Sequence, residues 1–553
     1  KGLAGTAFNC KLLPIKCSKN GSSYTDGLDK GYEGVVYAAD HGVKIINCSW
    51  GSTFSSQFGK DIVDYAISKG CLIVAAAGNT SSAVPYYPAA FDGVIAVGNT
   101  MRTDQLAPTS GRGTWLDLCA PGSSIMTTLN GNTYYENSGT SLAAPIVSSA
   151  AALLWSFFEE NSYEEIAGRL KASCVSIEEV GGNETYLHQL GSGRINVAEA
   201  ITNQTLKFID LKGISLADGN DDQWISGDTI VVGITLKNIL DSIGKVSLTL
   251  TSNSSYIEII DSTLVIDRLL KNEMYTTPHA IFSFAIKPEA PISQEIDLAI
   301  QLTSDDHKQV FPVDIIVNNY YVDLTVNNLW TSLSSDGQLG YYQDDQEGGI
   351  GVSLNQSPSL LFEGSLMVGV PGKVVDRARG LVGLDKDFKA LSPVKIMEMP
   401  VISDFDVVAH YTDAIPFNFD EIGVEIVQNS FAWNQEGHRN YFIHEFEIIN
   451  RNGTMLDSLF VGLFADWDIG DANNIIASDM EKGFGYCYAP GGSYYVGIKE
   501  LTNWRFIHQA MYNVAGGIIN PNVNFSSAKK YRALREFYGW AGWGEGQDVS
   551  HVV

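Results

Sequence analysis

Apolar and polar positions follow two different periods along this chain, and the change falls near residue 203. Before it, strand-length segments dominated by apolar residues, Lys44 to Ser49, Cys71 to Ala77 and Val94 to Gly98, read as strands buried on both faces, and Lys11 to Cys17 reads the same way. Helices are marked between them by Tyr32, Val35, Val36 and Ala39, and by Ile62, Val63, Ala66 and Ile67, the second closed by Gly70. Buried strands alternating with helices predict a parallel α/β sheet with flanking helices. After residue 203 the period becomes two, in Ile230, Val232, Ile234 and Leu236, in Val246, Leu248 and Leu250, and in Ile296, Leu298, Ile300 and Leu302. Half-buried strands spaced this way over 204–321 suggest an immunoglobulin-like β-sandwich. From 322 to 553 the chain stays β-rich, with many aromatic residues and acidic, glycine-containing loops.

One helix carries chemistry at its head. Ala143, Ala144, Ile146, Val147, Ala150, Ala151, Leu153 and Leu154 make an apolar set wide enough for burial on nearly all sides, and Pro145 marks its first turn, where a missing N–H costs little. Just before it, Gly139-Thr140-Ser141 sets a serine in a tight turn. Ser141 then lies at the positive end of a helix dipole, where a developing oxyanion is stabilised. A small polar residue there is also an ordinary N-cap. The upstream segment Cys71 to Gly78 changes the balance, because it reads as a buried parallel strand with the amide of Asn79 at its carboxyl end. Open α/β sheets bind ligands beyond that end, although an asparagine there also suits a turn.

Further segments occur in a fixed order through about residue 203. They are Gly2-Leu3-Ala4 followed by Lys11 to Lys16, Val43 to Gly51, Ala75 to Asn79, Tyr87-Pro88-Ala89 with Val94 to Gly98, Ala120-Pro121-Gly122, and Gly193 to Val197. Together with Ser141 they resemble the subtilisin-like serine proteases. The resemblance implies that residues 1–203 are the C-terminal part of a peptidase domain and that Ser141 is the nucleophile. Its N–H and the side-chain amide of Asn79 would form the oxyanion hole. Ser49, Trp50 and Gly51 would pair with the substrate backbone as an added strand, with Ala76, Ala77 and Gly78 across the first specificity pocket. No cofactor is implied for the chemistry, and a structural calcium on backbone oxygens of Ala89, Phe91 and Val94 is allowed. Leu142 and Ala144 depart from the commoner Met and Ser, Ile146 from His, and Trp50 from Leu, which leaves substrate preference open.

The resemblance also implies two partners that these residues do not supply. In the family Asp and His precede the substrate-binding strand. The one histidine before Ser141 is His41, placed by its flanking pattern at a helix C-terminus, where a cation suits the dipole. Asp26, Asp29, Asp40, Asp61 and Asp64 read as surface acids. The triad Asp and His are therefore expected upstream of Lys1, so these 553 residues alone have little peptidase activity while the parent protein has it. Two functions follow: a secreted serine endopeptidase working through an acyl-enzyme on Ser141, or an inactive subtilase scaffold used for binding or adhesion at a cell surface. The order of peptidase region, sandwich and long β region resembles large secreted proteases of the Bacteroidetes type.

Composition narrows the partners. A chain of 553 residues exceeds one domain, and no run approaches 18 apolar residues, so no transmembrane segment is expected. A net charge of −27 disfavours nucleic acid and anionic membranes and leaves polypeptide substrates, in a secreted or cell-surface setting. Six of the seven cysteines fall in the first 203 residues, match no zinc spacing, and read as buried free thiols, with a Cys10–Cys17 bridge left open. The acidic stretches Asp344 to Gly349 and Asp466 to Asp471 lack EF-hand spacing and read as solvated turns. Trp433, Trp467, Trp504, Trp540 and Trp543 read as core rather than as a glycan or peptide platform.

Overall fold

The computed structural model describes residues 3–20, 27–219, 223–277, 281–343, 348–378, 385–397, 399–416, 420–469, 474–479, 481–489, 491, 494–501, 530, 531 and 534. The first sheet is parallel, four-stranded and ordered as in the sequence: β1 (Ile45–Cys48), β2 (Leu72–Ala76), β3 (Val94–Thr100) and β4 (Leu118–Pro121). Different helices cover its two faces, and successive residues of β2 show how. Ile73 and Ala75 pack with Val35, Ala38 and Ala39 of α1 (Gly31–Asp40) and with Ile62, Val63 and Ala66 of α2 (Gln57–Ser68). Leu72, Val74 and Ala76 pack instead with Ala143, Ala144, Val147, Ala150 and Leu154 of α3 (Thr140–Phe157). A strand buried on both faces must be apolar at every position, and every residue of β2 and β3 is buried. By length and composition α3 also qualifies as a membrane span, but its apolar side chains are the ones buried against this sheet. A hairpin of β5 (Ile125–Leu129) and β6 (Thr133–Asn137) leads from β4 to α3, and α4 (Tyr163–Ala172) and α5 (Val197–Thr202) follow.

Three local expectations are corrected. Lys11 to Cys17 is not a strand: the segment has no ladder partner among the described residues, and Leu12 is 88% exposed. Its Ile15 and Cys17 lie instead against α1, where a Cβ on Gly34 would come 2.8 Å from the Cys17 sulfur. Apolar content favours burial, but a strand exists only through pairing. The helix carrying Ser141 begins at Thr140, so Pro145 falls in its second turn rather than its first. The cysteines are all free, as expected, yet Cys10 is exposed in a turn and Cys17 and Cys174 are only half-buried; Cys48, Cys71, Cys119 and Cys487 are buried.

Between Ile209 and Val317 two antiparallel sheets share one apolar core. One is built on Thr229–Asn238, with Ile209–Ala217 and Phe282–Ile286 beside it; the other runs through Val246–Ser252, Gln294–Thr303 and Lys308–Val317. The period-two residues Ile230, Val232, Ile234 and Leu236 are the buried ones. Charged side chains join this unit to α4. Glu164 accepts from Lys237 at 2.5 Å and lies 3.2 Å from Lys212, and Lys171 lies 3.8 Å from Asp210. Burial alone would raise the Glu164 pKa, but the Lys237 hydrogen bond and the Lys212 charge outweigh it and hold the carboxyl below its usual range. Its folded pKa is lowered, so its contribution is present above the ordinary carboxylate value and lost as pH falls through the folded one. A double-mutant cycle of Glu164→Gln with Lys237→Met is expected to show coupling of about 1 kcal/mol at pH 7, modest because the pair is partly solvated, and lost as pH falls through the lowered folded pKa.

Two antiparallel sheets of seven and five strands between Tyr321 and Trp467 share a further core, followed by a three-stranded sheet over Ile475–Asp479, Phe484–Tyr488 and Tyr495–Lys499. Asp466 and Trp467, expected in a solvated turn, close the strand Phe460–Trp467, pairing with Glu363 and Leu361. Trp467 packs against the core, and Trp433 lies 5.8 Å from the Tyr441 ring. Asp26, Asp344 to Glu347, Gly470, Asp471, Trp504, Trp540 and Trp543 lie outside the described residues.

Candidate active site

Gly139 opens α3 with φ +150°, a conformation other residues rarely adopt, and a Cβ there would also come 3.3 Å from the Asn79 Oδ1. Ser141 follows in the first turn, where backbone N–H groups have no helical acceptor. In an unbroken helix the N–H of residue 145 would bond the Ser141 carbonyl, and Pro145 removes that donor. The Ser49 hydroxyl donates to the same carbonyl at 2.9 Å, and the Ser141 hydroxyl donates to the Ser49 carbonyl at 3.3 Å. The proline thus frees an acceptor through which the head of α3 is tied to the segment after β1.

Asn79 lies three residues beyond the end of β2. Its Oδ1 accepts the Thr140 N–H at 3.0 Å, and the buried Thr140 hydroxyl lies within reach of both that oxygen and the Gly78 carbonyl at 3.2 Å. A backbone N–H can only face an acceptor, so the amide is oriented with Nδ2 available to donate elsewhere. Thr140 is a positioning residue that the sequence does not single out; its one visible signal is its place between Gly139 and Ser141. Asn79→Asp keeps the accepting oxygen and removes the donor. In the full-length protein it is expected to cut turnover by about 10² to 10³, the magnitude known for one such donor in subtilisin. Thr140→Val, which keeps the N–H bond, is expected to cost about tenfold in kcat with KM unchanged.

Of the other expected site residues, Ala76, Ala77 and Gly78 are buried along the end of β2. Trp50 turns to α1, where its ring meets Tyr32 edge-on at 5.1 Å and a Cβ on Gly31 would come 3.0 Å from it. His41 caps α1, its Nδ1 2.7 Å from the Tyr37 carbonyl and its ring stacked on Tyr37. Asp29, Asp40, Asp61 and Asp64 pair with Lys19, Tyr65, Gln57 and Lys60 on the surface. Neither histidine nor carboxylate is hydrogen-bonded to the Ser141 hydroxyl among the described residues.

Two places bear on metals. At Ala89, Phe91 and Val94 the donors are three neutral carbonyls, and the Phe91 oxygen already accepts the Val94 N–H at 3.1 Å. Calcium takes about six to eight oxygens, so this set fits it poorly and no catalytic step passes through it. Far along the chain, Asp376, Asp385 and Asp387 bring carboxylate oxygens within 4.8 Å of one another. The Lys530 ammonium lies among them, 2.7 Å from Asp376 and 2.7 Å from Asp385.

The head of α3 thus brings together a serine in the first turn of a buried helix and, through Thr140, an oriented asparagine amide beyond the end of a parallel strand. Residues 1–193 match the family model described as Subtilase family, Peptidase S8. The chain is 38% identical over 202 residues to a thermophilic serine proteinase of Bacillus sp. (strain AK1), covering 36% of this chain and 48% of that protein. It is 36% identical over 200 residues to thermitase of Thermoactinomyces vulgaris, covering 36% and 68%, and 36% identical over 203 residues to subtilisin DY of Bacillus licheniformis, covering 36% and 71%. A solved protease from Pseudoalteromonas arctica aligns with 36% of this chain and 64% of its own, at 26% identity and a TM-score of 0.32. The chain belongs to the subtilase family. It spans 48% of the length of the first of these relatives.

Proposed function

We propose that this chain is the C-terminal part of a secreted serine endopeptidase that cleaves polypeptides through an acyl-enzyme on Ser141. The reading is carried by the head of α3, where Ser141 sits in the first turn beside an Asn79 amide oriented by Thr140. Ser141 attacks the scissile carbonyl; its N–H and the Asn79 Nδ2 stabilise the tetrahedral oxyanion; Ser49, Trp50 and Gly51 align the substrate as an added strand. The histidine and aspartate that activate the serine belong to polypeptide outside these 553 residues, because the Ser141 hydroxyl here bonds a backbone carbonyl and His41 is engaged at the end of α1. Taken alone, the chain is then inactive. Residues 204–321 act as an immunoglobulin-like spacer and 322–553 as a β-rich accessory region, at the cell surface or free of it.

Full-length protein treated with a fluorophosphonate is expected to carry a single adduct on the peptide containing Ser141, located by mass spectrometry. An unmodified peptide would favour the second reading, an inactive surface-binding scaffold. That reading draws on the same Ser141 to Ser49 hydrogen bond.

A further inference from the structure

An aromatic ring occupies the gap between the two segments assigned to the substrate. A Cβ on Gly51 would come 2.6 Å from the Tyr86 Cε1 and 2.8 Å from its Cδ1, and one on Gly78 would come 3.1 Å from the Cγ and 3.2 Å from both Cδ atoms of the same ring. A side chain at Gly51 would clash with the ring and with the Tyr87 carbonyl at 2.5 Å, and one at Gly78, where φ is +86°, would crowd the ring. Gly78 immediately precedes Asn79, and Gly51 lies two residues after Ser49, whose hydroxyl holds the Ser141 carbonyl. The ring therefore touches the glycine before Asn79 and the glycine two residues after Ser49.

The backbone on either side of this ring is tied down. Tyr87 and Ser52 exchange backbone hydrogen bonds at 2.7 and 2.9 Å, and the Tyr86 carbonyl accepts the Ala90 N–H at 2.9 Å. The loop before it is held by Arg112, which donates to the Ser81 carbonyl at 2.5 Å, and by the Trp115 indole N–H, which donates to the Ala83 carbonyl at 2.9 Å. Tyr86 itself is half-buried, and burial pushes its phenol above the ordinary value. A ring held in this way does not yield its volume to a second one, because packed interiors leave few voids for a side chain to enter.

We infer that Tyr86 is the floor of the first specificity pocket and restricts cleavage to the carboxyl side of small residues, glycine, alanine or serine. This rests on the peptidase reading of Ser141 and Asn79. A methyl group fits beside the ring, whereas an aromatic or long aliphatic side chain must displace it.

The test uses the 553-residue chain carrying Ser141→Ala and peptide acids that differ only in ending in alanine or phenylalanine, with binding followed by calorimetry. The alanine peptide is expected to bind at least about tenfold more tightly. Tyr86→Gly is expected to reverse that order, and Tyr86→Phe, which keeps the ring, to preserve it. Equal binding, binding of neither peptide, or a phenylalanine preference in the chain with Tyr86 intact overturns the proposal; this comparison needs no pocket variant to fold. An unreversed order in a folded Tyr86→Gly chain overturns it as well. A full-length protein that resists the fluorophosphonate while the alanine preference stands removes the peptidase reading alone, and labelling without that preference removes the pocket floor alone.

Discussion

Replacing Ser141 by alanine in the full-length protein is expected to abolish fluorophosphonate labelling and to lower peptide hydrolysis about a millionfold, the magnitude known for loss of the nucleophile in subtilisin. The size of the effect follows from the chemistry. Without Oγ no acyl-enzyme forms, and the Asn79 amide and the Ser141 N–H can stabilise only the slow direct attack of water. Misfolding would not account for the loss. The Ser141 side chain is half-buried and its hydroxyl makes one hydrogen bond, 3.3 Å to the Ser49 carbonyl, so the substitution should shift stability by no more than about 1 kcal/mol. The Ser49 hydroxyl keeps its bond to the residue 141 carbonyl, which is backbone and survives the change. An unchanged thermal unfolding curve together with lost labelling is the expected pair of results. Persistent labelling in the variant would remove Ser141 from the mechanism.

Lys530→Met is expected to destabilise the β-rich region around 361–375 by about 3–5 kcal/mol, the usual cost of leaving buried charges without their partner. The Lys530 side chain is fully buried and its ammonium bonds Asp376 at 2.7 and 2.9 Å and Asp385 at 2.7 Å. Removing it leaves three carboxyls facing one another. Hydrogen exchange of peptides covering Leu361–Val370 and Lys373–Val375 reads the effect locally, which a chain with several cores requires. Pairing Lys530→Met with Asp376→Asn and Asp385→Asn should restore part of the lost protection, since two of the three carboxyls of the cluster are then neutral. Protection unchanged in the single variant would show that Lys530 does not hold this cluster.

The same cluster gives an opposite pH dependence to Glu164. Burial, with the charges of Asp376 and Asp385, pushes the Asp387 carboxyl up to about 7, and burial pushes Asp376 up to about 6 against the pull of Lys530. Both hold a proton more tightly folded than unfolded. Their region should therefore gain stability as pH falls from about 7 towards the ordinary carboxylate range near 4, and gain nothing further below it. Asp387→Asn is expected to raise protection at pH 8 and to flatten this dependence. Equal protection at pH 8 in the parent and the variant would contradict it.

Where burial is continuous, the sequence pattern and the structure agree closely. Cys71 to Ala77 and Val94 to Gly98 become β2 and β3 because a strand covered on both faces must be apolar throughout. Lys11 to Cys17, whose apolar residues are interrupted by Pro14 and Lys16, has no ladder partner among the described residues and is not a strand. β4, four residues long, is too short for its period to be read from sequence. Asp466 and Trp467 mislead in the other direction: their polarity suggests a turn, while pairing with Glu363 and Leu361 holds them in a strand.

The sequence by itself determined that a parallel α/β sheet places Ser141 at a helix head and Asn79 at a strand end, because apolar continuity and a glycine at position 139 are local properties. Only the tertiary structure decided what those groups touch. The Thr140 N–H that orients Asn79 comes from 61 residues away, the Ser49 hydroxyl that replaces the amide lost at Pro145 from 92 residues before Ser141, and the Lys530 ammonium that neutralises Asp376 from 154 residues beyond it. The Tyr86 ring between Gly51 and Gly78 belongs with these contacts. Periodicity encodes whether a side chain is buried, but which group it meets there depends on how distant segments pack.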